Sequence, residues 1–136
     1  MLELYHGLPS TCSKKVRLVL YEKGLPFRSH LMDLRKLEQH DPEYLKINPN
    51  GVVPTLDHDG AIVIDSNVIT EYLDEVSPDT SFTPEDPVKK ARMRSLMHFI
   101  DEMAASSVRV PTFNLAFLPK FKAMTEAEFI AFANSK

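Results

Sequence analysis

Residues 2–32 read LELYHGLPSTCSKKVRLVLYEKGLPFRSHLM, and the spacing of their apolar residues changes twice. A short apolar strand comes first, and the breaker GLPS at residues 7–10 interrupts it. A helical pattern follows and stops at Gly24, after which residues 27–32 form a second strand. The apolar stripe of the helix consists of Val16, Val19 and Leu20. This order predicts a βαβ unit with parallel strands and a right-handed crossover.

The following part of the chain has the pattern of a β-hairpin and a covering helix. A polar stretch with a weak helical segment at residues 42–47 leads to VVPTL at residues 52–56. The turn signal DHDG separates this β-branched run from the apolar run AIVI at residues 61–64. Asp65 and Ser66 then offer a cap for an amphipathic helix. The first 76 residues are therefore predicted to follow the order β-α-β-(α)-β-β-α and to belong to the α/β class.

The rest of the chain has a different, helical pattern. Residues 77–86 contain two prolines and few apolar side chains, which is typical of a linker. A helical pattern resumes after it, and Pro111 and Pro119 are predicted to kink or end the helix. The tetrapeptide TEAE at residues 125–128 matches a capping box at the start of a further helix. The predicted organisation is an α/β domain at residues 1–76, a linker at 77–86 and an all-α region at 87–136.

Composition and charge limit the kinds of function. The chain has 136 residues, of which 43% are hydrophobic and 26% are charged, as in ordinary globular proteins. Its formal net charge of −3 and its lack of basic runs argue against a nucleic-acid or membrane surface. The single cysteine, Cys12, lacks an internal disulfide partner, and no Cys/His cluster has the spacing of a zinc site. Without a signal peptide or a membrane-spanning apolar run, we expect a cytoplasmic protein that holds no metal.

Three motifs occur in order within the first domain: LYHGLPSTCSKKVR at residues 4–17, NPNGVVPTL at residues 48–56, and the Asp65-Ser66 pair that opens a helix. In this order and at these separations they resemble the amino-terminal half of the cytosolic glutathione transferases. The resemblance covers the whole domain and continues into the first helix of the family's all-α domain. It implies a thioredoxin-like βαβ-α-ββα fold followed by an all-α domain, which is incomplete in this chain by the family's usual length.

The Asp65-Ser66 pair has the clearest physical basis for ligand binding. A helix amino terminus carries unpaired N–H groups and a partial positive charge, so it attracts a carboxylate. The resemblance implies that Ser66 holds the γ-glutamyl carboxylate of glutathione and that Asp65 pairs with the charged amino group of the same moiety. The alternative is that one of the two residues only caps the helix.

The second motif supplies a backbone element for the same ligand. The resemblance implies that the Val53-Pro54 bond is cis and that the Val53 backbone pairs with the cysteinyl backbone of glutathione. Gln39 and His40 lie where some family members place residues on the glycyl carboxylate, and Lys14 is a competing candidate. For these last three side chains, simple exposure to solvent is the alternative.

The group that activates the thiol has three candidates in the first motif. Ser10 is favoured, because it matches the serine of the Ser-type classes without a gap and its surroundings resemble the zeta-class signature. Ser13 comes second and matches the serine of bacterial ether-cleaving relatives, the beta-etherases. Cys12 lies one or two positions past the cysteine of the Cys-type classes. A hydrogen bond to a charged group contributes about 1.5–3 kcal/mol, so one such donor lowers the pKa of a thiol. Either serine has an alternative role as a helix cap.

The resemblance implies an enzyme that uses glutathione as its co-substrate. It would stabilise the glutathione thiolate and transfer it to an electrophilic small molecule by conjugation, isomerisation or ether cleavage, as in detoxification. A second hypothesis is thiol–disulfide exchange through Cys12, which lies near a helix start. A third is a non-catalytic module that keeps this fold for dimerisation or partner binding. Family members are commonly dimers, so we expect a homodimer.

Overall fold

The computed structural model describes residues 1–134, and the chain divides into two compact units, Met1–Thr83 and Pro84–Lys136. The first unit contains a four-stranded sheet together with helices. In chain order its elements are β1 (Leu2–His6), α1 (Thr11–Glu22), β2 (Phe27–Leu31), α2 (Pro42–Ile47), β3 (Thr55–His58), β4 (Ala61–Ile64) and α3 (Ser66–Val76). Short 3-10 turns at Glu38–His40 and Pro78–Thr80 precede α2 and follow α3.

The strands are arranged in the order β2-β1-β3-β4. β1 and β2 are parallel, whereas β3 is antiparallel to both β1 and β4. The predicted βαβ unit, the hairpin and the weak helix before it are therefore confirmed. The resulting arrangement is the thioredoxin-like βαβ-α-ββα fold of the α/β class.

The core is formed by one face of the sheet together with α1 and α3. Alternate residues of β1 point inward, so His6 is buried along with the leucines before it. α1 stops as predicted at Gly24, whose φ of 62° lies in the left-handed region that favours glycine. The buried apolar side chains of the core are Leu2, Leu4, Val16, Leu20, Leu56, Ile69 and Leu73.

The boundaries of β3 differ from the predicted ones for local chemical reasons. β3 begins at Thr55 and not at Val52, because Pro54 has no N–H to donate to the ladder. The turn after it is shorter than DHDG, since only Asp59 and Gly60 lie outside the strands, with φ of 53° and 89°. Positive φ at both residues is typical of a two-residue hairpin turn. β2 ends one residue earlier than predicted.

A buried ion pair joins the ends of α1 and α3. Lys23 Nζ lies 2.8 Å from Asp74 Oδ1, and the two side chains are 0% and 6% exposed. Lys23 also donates to two carbonyl oxygens within residues 77–80, at 2.8 and 2.6 Å. The Asp74 carboxylate accepts hydrogen bonds from the backbone N–H groups of residues 82 and 83, at 2.8 and 2.9 Å. These bonds attach the segment after α3 to the first unit.

The second unit is helical in its described residues. Its elements are α4 (Pro87–Phe99), α5 (Ala105–Thr112), α6 (Leu118–Lys122) and α7 (Glu126–Asn134), with π-helical turns at Ile100–Ala104 and Phe113–Phe117 between the first three. The helix was predicted to kink or end at Pro111 and Pro119. It ends at neither proline. Pro119 lies at the start of α6, directly after the π-helical turn Phe113–Phe117, and π-helical turns also flank the helix that contains Pro111.

The predicted capping box at the start of α7 is confirmed. Thr125 N–H donates to Glu128 Oε2 at 2.8 Å, and Glu128 N–H donates to Thr125 Oγ1 at 3.3 Å. None of the described residues in the helices of this unit is buried. Within residues 1–134, no helix is both long enough and apolar enough to cross a membrane.

Candidate functional site

The sheet topology brings the three sequence motifs to one end of the first unit. β3 runs antiparallel to both neighbours, and its register aligns Thr55 with Tyr5 of β1 and with Ile64 of β4. The chain therefore leaves β1, enters β3 and leaves β4 at the same end of the sheet, which we call the site edge. Adjacent strands lie about 4.8 Å apart, so the segments just beyond them are neighbours. These segments are residues 7–10, 52–54 and 65–66.

Ser10 is the N-cap of α1 and lies on the site edge. Its Oγ accepts a hydrogen bond from the Ser13 N–H at 3.1 Å. A hydroxyl that accepts in this way keeps its own O–H for donation to another group. The residue is half-buried, and its O–H donates to no acceptor among the described residues. Ser10 thus has the capping role, and its geometry is also compatible with the donor role.

The two other candidates for thiol activation occupy different positions. Ser13 is fully buried, and its Oγ accepts a hydrogen bond from the Gly7 N–H at 3.3 Å. It therefore lies in the interior below the β1–α1 loop and does not join Ser10 at the surface. Cys12 is a free thiol in the first turn of α1 and is half-buried.

A polar network beneath this loop joins Arg17 to His6, which was not predicted as a site residue. Arg17 Nη1 donates to His6 Nδ1 at 2.9 Å and to the Gly7 carbonyl oxygen at 3.3 Å. Because arginine has donors only, the neutral His6 ring carries its proton on Nε2, which lies 2.7 Å from Ser29 Oγ. Burial lowers the pKa of His6, and the Arg17 charge lowers it further. The signal in the sequence is a polar residue at an inward position of β1, after two inward leucines.

Among the described residues, the second motif presents an unpaired backbone N–H and an unpaired backbone C=O, both of Val53, at the site edge. The Val53-Pro54 bond is cis, as the resemblance implies. Within residues 1–134, neither the N–H nor the C=O of Val53 has a hydrogen-bond partner. The preceding carbonyl oxygen, that of Val52, accepts from Tyr44 Oη at 2.6 Å and from Asn48 Nδ2 at 3.0 Å. Neither donor was predicted as a site residue, although Asn48 belongs to the second motif.

Gln39 and His40 lie next to the same segment. Gly51 has a φ of +60°, and a Cβ at this position would lie 2.9 Å from His40 Nδ1 and 3.4 Å from the Gln39 carbonyl oxygen. Glycine therefore meets both a conformational and a steric requirement. The side-chain oxygen Oε1 of Gln39 is buried and has no hydrogen-bond partner among the described residues. The competing candidate, Lys14, has an exposed side chain on α1.

The third motif forms the start of α3. Asp65 has a φ of 71°, and its Oδ1 accepts from the N–H groups of Asn67 and Val68 at 2.8 and 3.1 Å, so it caps the helix. Ser66 is 4% exposed, and its N–H and Oγ have no partner in the part of the chain that the structure describes. Lys15, which was not predicted, donates from Nζ to Asn67 Oδ1 at 2.5 Å. It brings a positive charge to this helix start.

The site edge thus combines a helix amino terminus, the unpaired N–H and C=O of Val53 and a hydroxyl donor in neighbouring positions. A helix start binds carboxylates. The free N–H and C=O of one residue pair with the backbone of an extended ligand, as an added strand does. A hydroxyl donor stabilises an anion such as a thiolate. A short peptide with a carboxylate and a thiol has groups that match all three.

Comparisons with known proteins agree on one family. The family model described as the glutathione S-transferase N-terminal domain matches residues 9–76. Protein LigF of Sphingobium sp. strain SYK-6 is 47% identical over 103 residues, which are 74% of this chain and 40% of LigF. The zeta-class glutathione S-transferase of Euphorbia esula is 39% identical over 117 residues, which are 86% of this chain and 50% of that protein. This chain therefore spans about half the length of the curated relatives it matches, or less.

Solved structures lead to the same conclusion. The crystal structure of the beta-etherase LigF superposes with a TM-score of 0.87 at 39% identity, covering 98% of this chain and 56% of that one. A glutathione transferase homologue from Sulfitobacter, solved with bound glutathione, has a TM-score of 0.74 at 28% identity and covers 96% of this chain and 61% of its own. From the matched motifs, the fold and these similarities, we conclude that the chain belongs to the glutathione S-transferase family.

Proposed function

We propose that this chain binds glutathione along the site edge and activates its thiol for reaction with an electrophilic small molecule. One observation carries the proposal. Within residues 1–134, the Ser10 O–H, the backbone N–H and C=O of Val53 and the Ser66 N–H all lack an internal partner, and all of them belong to the site edge. These three kinds of unpaired group match the thiol, the backbone and the carboxylate of a thiol-containing peptide.

In this proposal the two ends of glutathione bind to different elements. The γ-glutamyl carboxylate accepts from the Ser66 N–H and Oγ, where the positive end of the α3 dipole favours an anion. The Asp65 carboxylate pairs with the charged amino group of the ligand, using the oxygen that does not cap α3. Gln39 and His40 bind the glycyl carboxylate at the other end. The Val53 N–H and C=O pair with the cysteinyl backbone between the two ends.

Ser10 then donates its O–H to the glutathione sulfur. A free thiol has a pKa of about 8.5, so only a few per cent of it is thiolate at neutral pH. A hydrogen bond to the charged sulfur is worth about 1.5–3 kcal/mol, which makes a substantial fraction of the bound thiol nucleophilic. The half-buried position of Ser10 and the lack of an acceptor for its O–H among the described residues favour it over the fully buried Ser13. Cys12 is the residue that would serve instead in a thiol transferase.

The reaction that we propose is attack of the thiolate on an electrophilic carbon, with loss of a leaving group or rearrangement of the adduct. Conjugation, ether cleavage and isomerisation all start from this step. The relatives support all three, since they include a beta-etherase, a zeta-class transferase and a probable maleylacetoacetate isomerase. We also propose a cytoplasmic location and a homodimer, supported by the lone cysteine and by the family's usual assembly.

Calorimetric titration of the chain with reduced glutathione tests the binding step. We expect saturable binding, and Ser66→Ala should weaken it by about 1–3 kcal/mol because a bond to a charged carboxylate is lost. Ser95→Ala, at an exposed position of α4, removes a hydroxyl far along the chain and should leave the affinity unchanged. A folded wild-type chain that fails to bind contradicts the proposal, and so does a Ser66→Ala variant that binds as tightly as the wild type.

Turnover requires a separate assay. The chain is mixed with glutathione and an aryl halide, a β-aryl ether or a cis-alkene diketo acid, and the products are identified by mass spectrometry. Product formation supports an enzyme, and the reactive compound gives the reaction class. Binding without turnover of any of the three would support the non-catalytic module instead.

A further inference from the structure

We infer that Tyr44 and Asn48 are positioning residues, which orient the Val53 N–H toward the bound ligand by holding the carbonyl oxygen at the opposite side of the same peptide group. This inference rests on the proposed function, because the ligand concerned is glutathione. It assigns a role to two buried side chains that do not reach the ligand themselves.

The first step is the direction of the Val52 carbonyl. Tyr44 Oη donates to the Val52 oxygen at 2.6 Å, and Asn48 Nδ2 donates to the same oxygen at 3.0 Å. Tyr44 is 4% exposed and Asn48 is 0% exposed. Two donors that are both buried therefore turn this carbonyl into the protein, although Val52 itself has an exposed side chain.

The second step follows from the geometry of the peptide bond. Within residues 1–134 the cis bond is Val53-Pro54, so the peptide group between Val52 and Val53 is trans. In a planar trans peptide the C=O and the N–H point in opposite directions. With the Val52 oxygen directed toward Tyr44 and Asn48, the Val53 N–H points away from them. No acceptor among residues 1–134 takes this proton.

The third step is the way in which the two donors are themselves held. Tyr44 Oη lies 2.8 Å from Thr55 Oγ1, and Asn48 Nδ2 donates to the same Thr55 oxygen at 2.8 Å. Because the Tyr44 proton goes to Val52, the Tyr44 oxygen accepts the Thr55 proton. Asn48 Oδ1 accepts from the Asn50 N–H at 3.1 Å, which sets the orientation of the amide.

Through Tyr44 and Asn48, these bonds connect the residue before the Val53-Pro54 segment to Thr55, the residue after it. Thr55 is fully buried and begins β3, and Val52 immediately precedes the segment. Burial raises the pKa of Tyr44, so the hydroxyl remains protonated and able to donate at any ordinary pH. Orientation of a binding group before the ligand arrives reduces the ordering cost of binding.

The test compares Tyr44→Phe with the wild-type chain. The variant keeps the ring and removes only the hydroxyl, and Asn48→Ala removes the second donor. Tyr72→Phe is the matched control, because the Tyr72 hydroxyl bonds to His58 Nδ1 at 2.7 Å, at the end of β3 away from the site edge. Two readouts are taken on the full chain: the NMR order parameter of the Val53 amide without ligand, and the affinity for reduced glutathione.

In the wild type the Val53 amide should have the order parameter of rigid backbone, about 0.85, and in Tyr44→Phe it should fall toward about 0.6. Glutathione should bind Tyr44→Phe roughly five- to tenfold more weakly, and the Val53 amide proton should shift less at saturation. Asn48→Ala should change all three readouts in the same direction. Tyr72→Phe should behave as the wild type.

The outcomes separate this inference from the proposed function. An unchanged Val53 order parameter in Tyr44→Phe and Asn48→Ala overturns the inference, whether or not glutathione binds. A lower order parameter with unchanged affinity and amide shift also overturns it, because the two residues then have a structural role only. If the wild type does not bind glutathione, the proposed function fails, and the order parameters still decide whether Tyr44 and Asn48 hold the peptide group.

Discussion

The Ser10 hydroxyl has two roles: its oxygen caps α1, and its proton is proposed to bind the ligand sulfur. Each role is followed by a different measurement. Its oxygen accepts from the Ser13 N–H, which stabilises the start of α1. Its proton has no acceptor within residues 1–134, and in the proposed function it is donated to the ligand at the site edge. Removal of the hydroxyl should therefore change two quantities: the free energy of unfolding and the pKa of the bound thiol.

We expect Ser10→Ala to retain glutathione binding while the pKa of the bound thiol rises, so that its thiolate fraction at neutral pH falls roughly tenfold. The lost cap should lower the free energy of unfolding by about 1 kcal/mol. Ultraviolet thiolate absorbance during a pH titration of the complex measures the first effect, and urea unfolding measures the second. Ser13→Ala is the control: it should destabilise the chain and leave the thiolate fraction unchanged. The reverse pattern would show that Ser13 is the activating residue.

His6 gives a second prediction, on the dependence of stability on pH. Burial and the nearby Arg17 charge lower the pKa of His6 in the folded chain. The unfolded chain takes up this proton near pH 6.5, so the free energy of unfolding should decrease as the pH falls below about 6.5. Urea unfolding at a series of pH values should show this slope in the wild type and a smaller slope in His6→Gln. His98→Gln, at an exposed position, should keep the wild-type slope, and an equal loss of slope in both variants would rule out His6 as its source.

Among the elements, α1 and α3 are connected at their carboxyl ends by the Lys23–Asp74 ion pair. Burial by itself raises the pKa of Asp74. Hydrogen bonds from Lys23, from the residue 83 and residue 82 N–H groups and from Ser81 more than offset it, and they hold the pKa well below the ordinary range. A buried charge with these partners is costly to leave unpaired.

We expect Asp74→Asn to lower the free energy of unfolding at neutral pH by about 3–5 kcal/mol, because the Lys23 charge is then buried without a counter-charge. The folded pKa of Asp74 lies below its unfolded value, so its stabilisation is complete above about pH 4 and is lost as the pH falls further. Chemical unfolding between neutral and acid pH measures both effects. Glu75→Gln removes the neighbouring exposed carboxylate, and it should change neither the stability at neutral pH nor its dependence on acid pH. A similar loss in both variants would contradict the assignment.

At the scale of the whole chain, the boundary between the two compact units follows Thr83, and the segment after α3 is attached to the first unit. Glu75 lies in the last turn of α3, whereas Glu85 lies in the irregular stretch before α4. Proteases cut irregular backbone more readily than hydrogen-bonded helix. Brief digestion with a glutamyl endopeptidase should therefore cleave after Glu85 before it cleaves after Glu75.

Mass spectrometry of the fragments checks this order of cleavage. The Asp74→Asn variant should accelerate the cut after Glu75, because the bonds that hold residues 77–83 are weakened. A first cut after Glu75 in the wild type would mean that these bonds do not protect the end of α3.

Much of the first unit could be predicted because its signals act over a few residues. Apolar periodicity located the βαβ unit, Gly24 marked the end of α1, and the capping residues marked the start of α3 and α7. The helix through Pro111 could not be predicted in the same way. A single proline argues locally for a break, while π-helical turns around it allow the backbone to continue.

The amino-acid order was thus sufficient for the fold class, the element order and the family motifs, since all of them depend on neighbours along the chain. Packing between separate segments decided that Ser13 is fully buried while Ser10 is half-buried, and which side chains hold the Val52 carbonyl. The same packing also paired the Lys23 ammonium group with the Asp74 carboxylate, although the two residues are far apart in the sequence. Burial and hydrogen-bond partners arise only when separate elements pack together, and no pattern within one element specifies them.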